Sequence, residues 1–305
     1  MLRKTLLFTL LIVLLTACAP QATPTPTALT FTDGLGREIK LDGPAQRVVS
    51  LAPSNTEILF AIGAGDQVVG RDAYSDYPAE AGAVTDIGDT YGDLNTELIV
   101  SLEPDLVLAA EINTQEQVKA LEDLGLTVYY LKNPLTLEEM YNNLEIVAHL
   151  TGHEAEAATL IESLKARVAA IDDAIAPISS RPSVFYEIDG ADPAKPYTAG
   201  KGTFITLLIE RAGGSNIAAD IDGYPQLSLE QVVAADPSFI ILGDSAFGVT
   251  AELVAGRPGW ENLSAVKNNQ ILPFDDNLLS RPGPRLVDGL EALVGILHPD
   301  LVPVP

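Results

Sequence analysis

Apolar positions along the chain fall into short blocks whose spacing alternates between the period of a strand and that of a helix. Phe31 to Leu41 reads as a small hairpin turning at Asp33-Gly34. Arg47–Leu51 is a short β-branched run, and Gln67–Gly70, Asp105–Ala109 and Thr127–Leu131 are further strand candidates. Between them lie helix starts at Ser54, Asn95, Thr114 and Thr136. In the first, Ser54 is expected to cap the helix and Glu57 to reach back to it; that helix stops at Gly63 and Gly65. From His153 to about Ala176 the pattern becomes one long helix, with Leu160, Leu164, Val168 and Ile171 at helical spacing and Pro177 ending it. Alternation then resumes: Val184–Ile188, helices from Thr203 and Ser228, Phe239–Leu242, Ile271–Phe274 and a last helix from about Pro284. The pattern predicts an α/β fold of two α/β lobes, each with a central parallel sheet, joined by one long α-helix. The lobes are expected at 31–152 and 179–305, with the helix at 153–178.

An internal echo supports two lobes of one design. Leu94–Ala109 aligns with Leu227–Leu242, Glu97 falling on Glu230 and Pro104 on Pro237, each pair 133 residues apart. Each copy has a capping residue (Asn95, Ser228), a glutamate two positions on, an acid–proline stop and an apolar strand.

The amino terminus changes the picture of where such a protein works. Arg3 and Lys4 precede an apolar run from Leu6 to Leu15, which is closed by Leu15-Thr16-Ala17-Cys18. A positive end, a short apolar core and small residues before a cut make a secretory signal over 1–17. The run is about half of the ~20 residues that a spanning helix needs. The tetrapeptide ending in Cys18 resembles a bacterial lipobox, which implies cleavage before Cys18 and lipidation of its thiol. Residues 18–30 then form a lipidated, Pro/Thr-rich tether, APQATPTPTA following the cysteine. The expected location is extracytoplasmic, anchored to the cell membrane.

Composition removes several functions. The 305 residues carry a formal charge of −24, or −26 without Arg3 and Lys4, and so acidic a surface repels phosphate backbones. Nucleic acid is not an expected partner. Cys18 is the only cysteine, so no structural disulfide forms within the chain. His149-Leu-Thr-Gly-His153 has the spacing of a zinc helix but lacks its glutamate, and no Ser/His/Asp or Cys/His arrangement is visible. Gly63-Ala-Gly65 follows a helix rather than a strand, so it is no nucleotide loop. The residues show no enzyme signature and no intrinsic cofactor or metal site; an extracellular metal-assisted hydrolase and an adhesive lipoprotein stay open as competing classes.

Val48-Val-Ser-Leu-Ala-Pro-Ser-Asn-Thr-Glu57, Tyr74-Ser-Asp-Tyr-Pro78, Leu94–Ala109, Tyr197-Thr-Ala-Gly-Lys-Gly202 and Tyr224-Pro-Gln-Leu-Ser-Leu-Glu230 together resemble the vitamin B12-binding proteins of bacterial importers. The wider group also binds ferric siderophores and haem, and the likeness spans roughly residues 30 to 300. It implies a monomeric solute-binding protein of an ABC importer, with the ligand held between the lobes, partnered by a permease dimer and its ATPase subunits. It also implies one exposed glutamate per lobe docking on permease arginines, here Glu97 and Glu230. The implied cleft residues are Pro53, Tyr74, Asp76 and Tyr91 from the first lobe and Tyr197, Tyr224, Asp276 and Arg285 from the second, with Arg281 a weaker candidate. Tyrosines offer broad apolar faces with polar tips, which suits a large flat ligand. Cobalamin is the first expectation and haem or a ferric siderophore the alternatives. The chain departs from the B12 pattern in presenting Tyr91 and Tyr224 where tryptophan is common, while its one tryptophan, Trp260, sits in Arg257-Pro-Gly-Trp260, a stretch that reads as ordinary helix-entry packing.

Overall fold

The computed structural model describes residues 29–301; the expected signal segment, Cys18 and nearly all of the tether lie outside them. Strands β1 (Leu29–Thr32) and β2 (Glu38–Leu41) form the antiparallel hairpin, Leu29 paired with Leu41. Its turn is fastened by Asp33, whose carboxylate accepts from the Leu35 and Arg37 amides and from the Arg37 guanidinium.

The first lobe is a four-stranded parallel sheet of β3 (Val48–Ser50), β4 (Val68–Arg71), β5 (Leu106–Ala110) and β6 (Val128–Leu131), in the order β4-β3-β5-β6. Both β5 and β6 are buried along their whole length, as strands covered on both faces by helices must be. The second lobe repeats the arrangement. Strands β7 (Ser183–Asp189), β8 (Tyr197–Thr198), β9 (Ser215–Asn216), β10 (Phe239–Leu242) and β11 (Ile271–Pro273) form one sheet. Its parallel members run β9-β7-β10-β11, the order of the first lobe, and β8 adds an antiparallel edge.

The helices are α1 (Pro53–Ala61), α2 (Thr96–Ser101), α3 (Gln115–Asp123), α4 (Leu137–Thr151), α5 (Glu154–Ile175), α6 (Phe204–Arg211), α7 (Leu229–Ala235), α8 (Ala251–Ala255), α9 (Ser264–Lys267), α10 (Asn277–Ser280) and α11 (Leu286–Leu297). Most begin where a side chain satisfies an orphan amide. Asn95 caps α2, Thr136 caps α4 and Thr203 caps α6, while Thr114 with Gln117 and Ser228 with Gln231 form capping boxes on α3 and α7. The expectation for α1 is corrected. It starts two residues earlier, at Pro53 behind Ala52, and the fixed φ and missing N–H of proline suit a first helical position; neither Ser54 nor Glu57 caps it. Glu57 turns inward instead.

The internal echo extends to the backbone. Glu103 and Asp236, the acids before the paired prolines, both adopt left-handed conformations, with φ of 48° and 42°. That is uncommon outside glycine, and in each lobe it turns the chain out of the helix before the following strand.

Helix α5 joins the lobes. Gly152, at φ 80°, closes α4 and turns the chain into it. Ala157, Ile161, Leu164, Val168, Ile171 and Ile175, spaced alternately by four and three residues, form its buried stripe. The stripe lies against α4 of the first lobe and α11 of the second. It belongs to one apolar cluster running from Ile58, Leu106 and Leu144 to Ile205, Val287 and Leu290, so the lobes share a core along the strut. Separate clusters cover the other face of each sheet, around Leu121 in the first lobe and around Trp260 in the second. Trp260 packs edge-on against Phe185 as core, in agreement with its reading from sequence.

Leu164→Ala should therefore cost about 2–5 kcal/mol of unfolding free energy in urea titrations. Leu124→Ala, on an exposed side chain, should stay within about 0.5 kcal/mol. Equal effects at the two positions would remove the strut from the core.

Candidate functional site

The carboxyl ends of the parallel strands in both lobes open onto one inter-lobe cavity of about 560 Å³. This is where open parallel sheets bind ligands, because connecting loops diverge there and leave helix starts and loop side chains facing solvent. From the first lobe come Ala52, Pro53 and Ser54 after β3, Tyr74 after β4, Ile112 after β5 and Asn133 after β6, with Tyr91 beside Tyr74. From the second come Phe247 after β10, and Asp276, Asn277, Ser280 and Arg281 after β11. The volume is within the range of small-molecule pockets.

Two aromatic groups define the walls. Tyr74 and Tyr91 meet edge to face with ring centroids 5.5 Å apart, and both are largely exposed. Opposite them, Phe247 is 89% exposed. An aromatic ring left in water by its own fold has surface to give to another molecule. The Tyr74 loop is held from beneath by Asp72, which is fully buried and accepts from the Tyr74 amide at 3.0 Å and from the Ser75 hydroxyl. Burial pushes the Asp72 carboxyl up, against the hydrogen bonds from Ser75 and Tyr74.

Of the residues expected at the cleft, Pro53, Tyr74, Tyr91 and Asp276 line this cavity. Asp276 accepts a 2.7 Å hydrogen bond from the buried Tyr186 hydroxyl, which fixes its carboxylate at the floor. Tyr224 and Tyr197 are exposed in the second lobe and do not line it. Desolvation and the Asp276 carboxylate both push the Tyr224 phenol up.

Asp76 and Arg285 are placed differently from the expectation. Glu57, 2% exposed, receives Arg285 Nε at 2.8 Å, Arg285 Nη2 at 2.5 Å and Arg281 Nη1 at 3.0 Å. Arg281 Nη1 also binds Asp76 at 2.7 Å, and its Nη2 donates to the Tyr74 carbonyl at 3.3 Å. The Arg285 guanidinium lies over the Tyr77 ring, 4.0 Å from its centroid. The two arginines belong to the second lobe and all their partners to the first. Arg285 is thus committed to an inter-lobe clamp and does not line the cleft, whereas Arg281 does both. Burial works against the charge on Arg285, but its Glu57 partner outweighs that and holds the guanidinium above its ordinary range. Sequence pattern did not reveal Glu57, because Ser54-x-x-Glu57 reads equally as a capping box. Phe247, Asn133 and Ser280 were also missed, although each lies in the segment that follows a strand's carboxyl end, Asn133 after β6, Phe247 after β10 and Ser280 at the end of α10 after β11.

Glu97 and Glu230 are both exposed at the second position of their helices, α2 and α7, behind the matched caps Asn95 and Ser228. Such a position favours a carboxylate through the helix dipole. A hydrogen bond from its own amide and one from the Ser228 hydroxyl hold Glu230 below the usual carboxylate range. Among the described residues no cluster of histidine and carboxylate groups is built to hold a metal ion, and His149 and His153 point to Glu154 and to the Thr151 carbonyl.

Two lobes of equal topology, a long helix between them and a cleft at their strand ends define a solute-binding protein. The chain belongs to the periplasmic binding protein family, which matches residues 48–278. It is 35% identical over 277 residues to an ABC transporter substrate-binding lipoprotein of Bacillus subtilis (strain 168), covering 89% of this chain and 86% of that one. It is 34% identical over 315 residues to a cobalamin-binding protein of Halobacterium salinarum (strain R1), covering 96% and 84%. Among solved structures, the periplasmic heme-binding protein of Roseiflexus sp. RS-1 superposes with a TM-score of 0.75 at 29% identity, over 85% of this chain and 100% of that one. The family serves transport and not catalysis, which sets the hydrolase reading aside.

Removing one member of a buried ion cluster strands its partners. Glu57→Gln should cost about 3–5 kcal/mol in chemical unfolding. A loss below about 1 kcal/mol would mean the clamp carries no more than a surface pair.

Proposed function

We propose that this chain, a solute-binding protein of an ABC importer, captures a cobalamin-type corrinoid between its lobes and hands it to a permease. The observation that carries the reading is the set of solvent-facing aromatic rings, Tyr74, Tyr91 and Phe247, on opposite walls of a cleft at the strand ends. A broad planar ligand would cover all three at little entropic cost, since aromatic side chains have few rotors. The likeness to the Halobacterium cobalamin-binding protein over nearly the whole chain favours a corrinoid. Haem is the second reading, favoured by the likeness to the Roseiflexus heme-binding protein and by cleft tyrosines that can contact iron.

Delivery rests on Glu97 and Glu230. They occupy matching places in two lobes of the same strand order, and so can meet two equivalent arginines of a two-fold permease. The lobes, 31–152 and 179–305, move little in this reading, because both the shared core along α5 and the Glu57 clamp resist separation. Cys18, lipidated, would keep the protein at the membrane, in keeping with the lipoprotein relative of Bacillus subtilis. The protein acts as a monomer in this scheme.

Two experiments address this. Equilibration with cyanocobalamin or with hemin, followed by desalting and visible spectroscopy, should leave the corrinoid spectrum on the protein at one equivalent. Retention of hemin alone would replace the corrinoid reading, and retention of neither would end both. Separately, Glu97→Lys combined with Glu230→Lys should abolish binding to the reconstituted permease while ligand affinity stays the same. Unchanged docking at low salt would remove the two glutamates from the interface.

A further inference from the structure

A second cavity, of about 420 Å³, lies between the lobes on the other side of Glu57 from the cleft. Its walls come from three bodies: Phe60, Ala61, Tyr77, Pro78 and Glu80 of the first lobe, Leu160 and Leu164 of the strut, and Pro284 and Asp288 of the second lobe. Arg167, Arg285 and Glu57 complete it. The floor is apolar and the rim is charged, which is the make-up of a small-molecule pocket and not of a packing defect.

The charges on that rim decide what fits. Arg167 is held by Asp288 at 2.6 Å and by Glu291 at 2.5 and 2.8 Å, so this one guanidinium faces two carboxylates. Arg285 and Arg281 are balanced by Glu57 and Asp76. Glu80 is exposed and has no hydrogen-bond or ion-pair partner among the described residues. Counting the wall residues and their direct partners, four carboxylates (Glu57, Glu80, Asp288 and Glu291) meet three guanidiniums (Arg167, Arg281 and Arg285), on a protein that is itself strongly acidic. The field inside is negative.

We infer that this rear cavity is a binding site for a compact amphipathic cation, with an apolar body on Phe60, Leu160 and Leu164 and an ammonium group against Glu80. Its occupant would touch both lobes and the strut together and so resist their relative movement. Glu57 lines the rear cavity and links it to the front cleft through its arginines: Arg281 lines the front cleft and Arg285 lines the rear cavity. The site's existence does not depend on which solute the front cleft takes.

The test uses the full chain and three probes of similar size: 2-phenylethylammonium, phenylacetate and neutral 2-phenylethanol, titrated by ligand-observed NMR. The cation should bind saturably and more tightly than either analogue. Glu80→Gln should weaken it about fivefold, as loss of one exposed charge partner does. Ala61→Phe, which fills the cavity from an exposed position, should abolish binding. Equal or tighter binding of the anion overturns the charge assignment, and no binding of any probe overturns the site. Cation binding that survives both Glu80→Gln and Ala61→Phe unchanged places it elsewhere and likewise overturns the proposal.

Discussion

The arrangement of the two lobes depends on one buried carboxylate. Glu57 stands in the first helix of the first lobe, and its two oxygens are the acceptors for two arginines of the second. A charge sealed from water needs full compensation, and the clamp supplies it with two guanidiniums, both only partly exposed. The compensation holds in one relative placement of the lobes. Moving them apart would leave a buried carboxylate facing none of its partners, so the cost of opening is steep and not gradual. Tyr77 adds a ring beneath Arg285, and Asp76 ties Arg281 to the loop that carries Tyr74. The geometry of the cleft wall is therefore set by the same contacts that join the lobes.

The strut reinforces this by a different kind of force. Its apolar stripe is nondirectional and tolerant of small shifts, while the ion cluster is directional and intolerant of them. Together they describe two α/β lobes that share a core on one side and a fixed ionic hinge in the middle. In the proposed reading the cleft is a preformed groove, whose cost of ordering is met during folding and not on binding.

Much of this was legible in the chain. Fully apolar runs such as Leu106–Ala110 mark strands buried on both faces, and the caps at Asn95, Thr114, Thr136 and Ser228 mark helix starts within a residue. The 133-residue echo pointed to two lobes of one design, and the structure adds that their sheets share a strand order. Short edge strands β8 and β9, two residues each, carry too little pattern to be read. The clamp was hidden for a physical reason: Glu57 and Arg285 are separated by 228 residues, and local sequence is silent about pairs that only the packing of lobes brings together. Phe247 was hidden because a lone aromatic at the end of a single 3-10 turn has no periodicity; only its place beyond a strand end marks it. Tyrosines were easier to nominate than to place, and Tyr197 and Tyr224 stand outside the cavity that Tyr74 and Tyr91 line.

The claim that the lobes are clamped is tested most directly by the distance between them in solution. Spin labels at two exposed positions, Leu124→Cys in the first lobe and Leu253→Cys in the second, in a Cys18→Ser background, would report it by pulsed electron resonance. A single narrow distance distribution, hardly moved by adding ligand and broadened by Glu57→Gln, is the result expected. A broad distribution in the unliganded protein, or a ligand-driven shift of many ångströms, would contradict it.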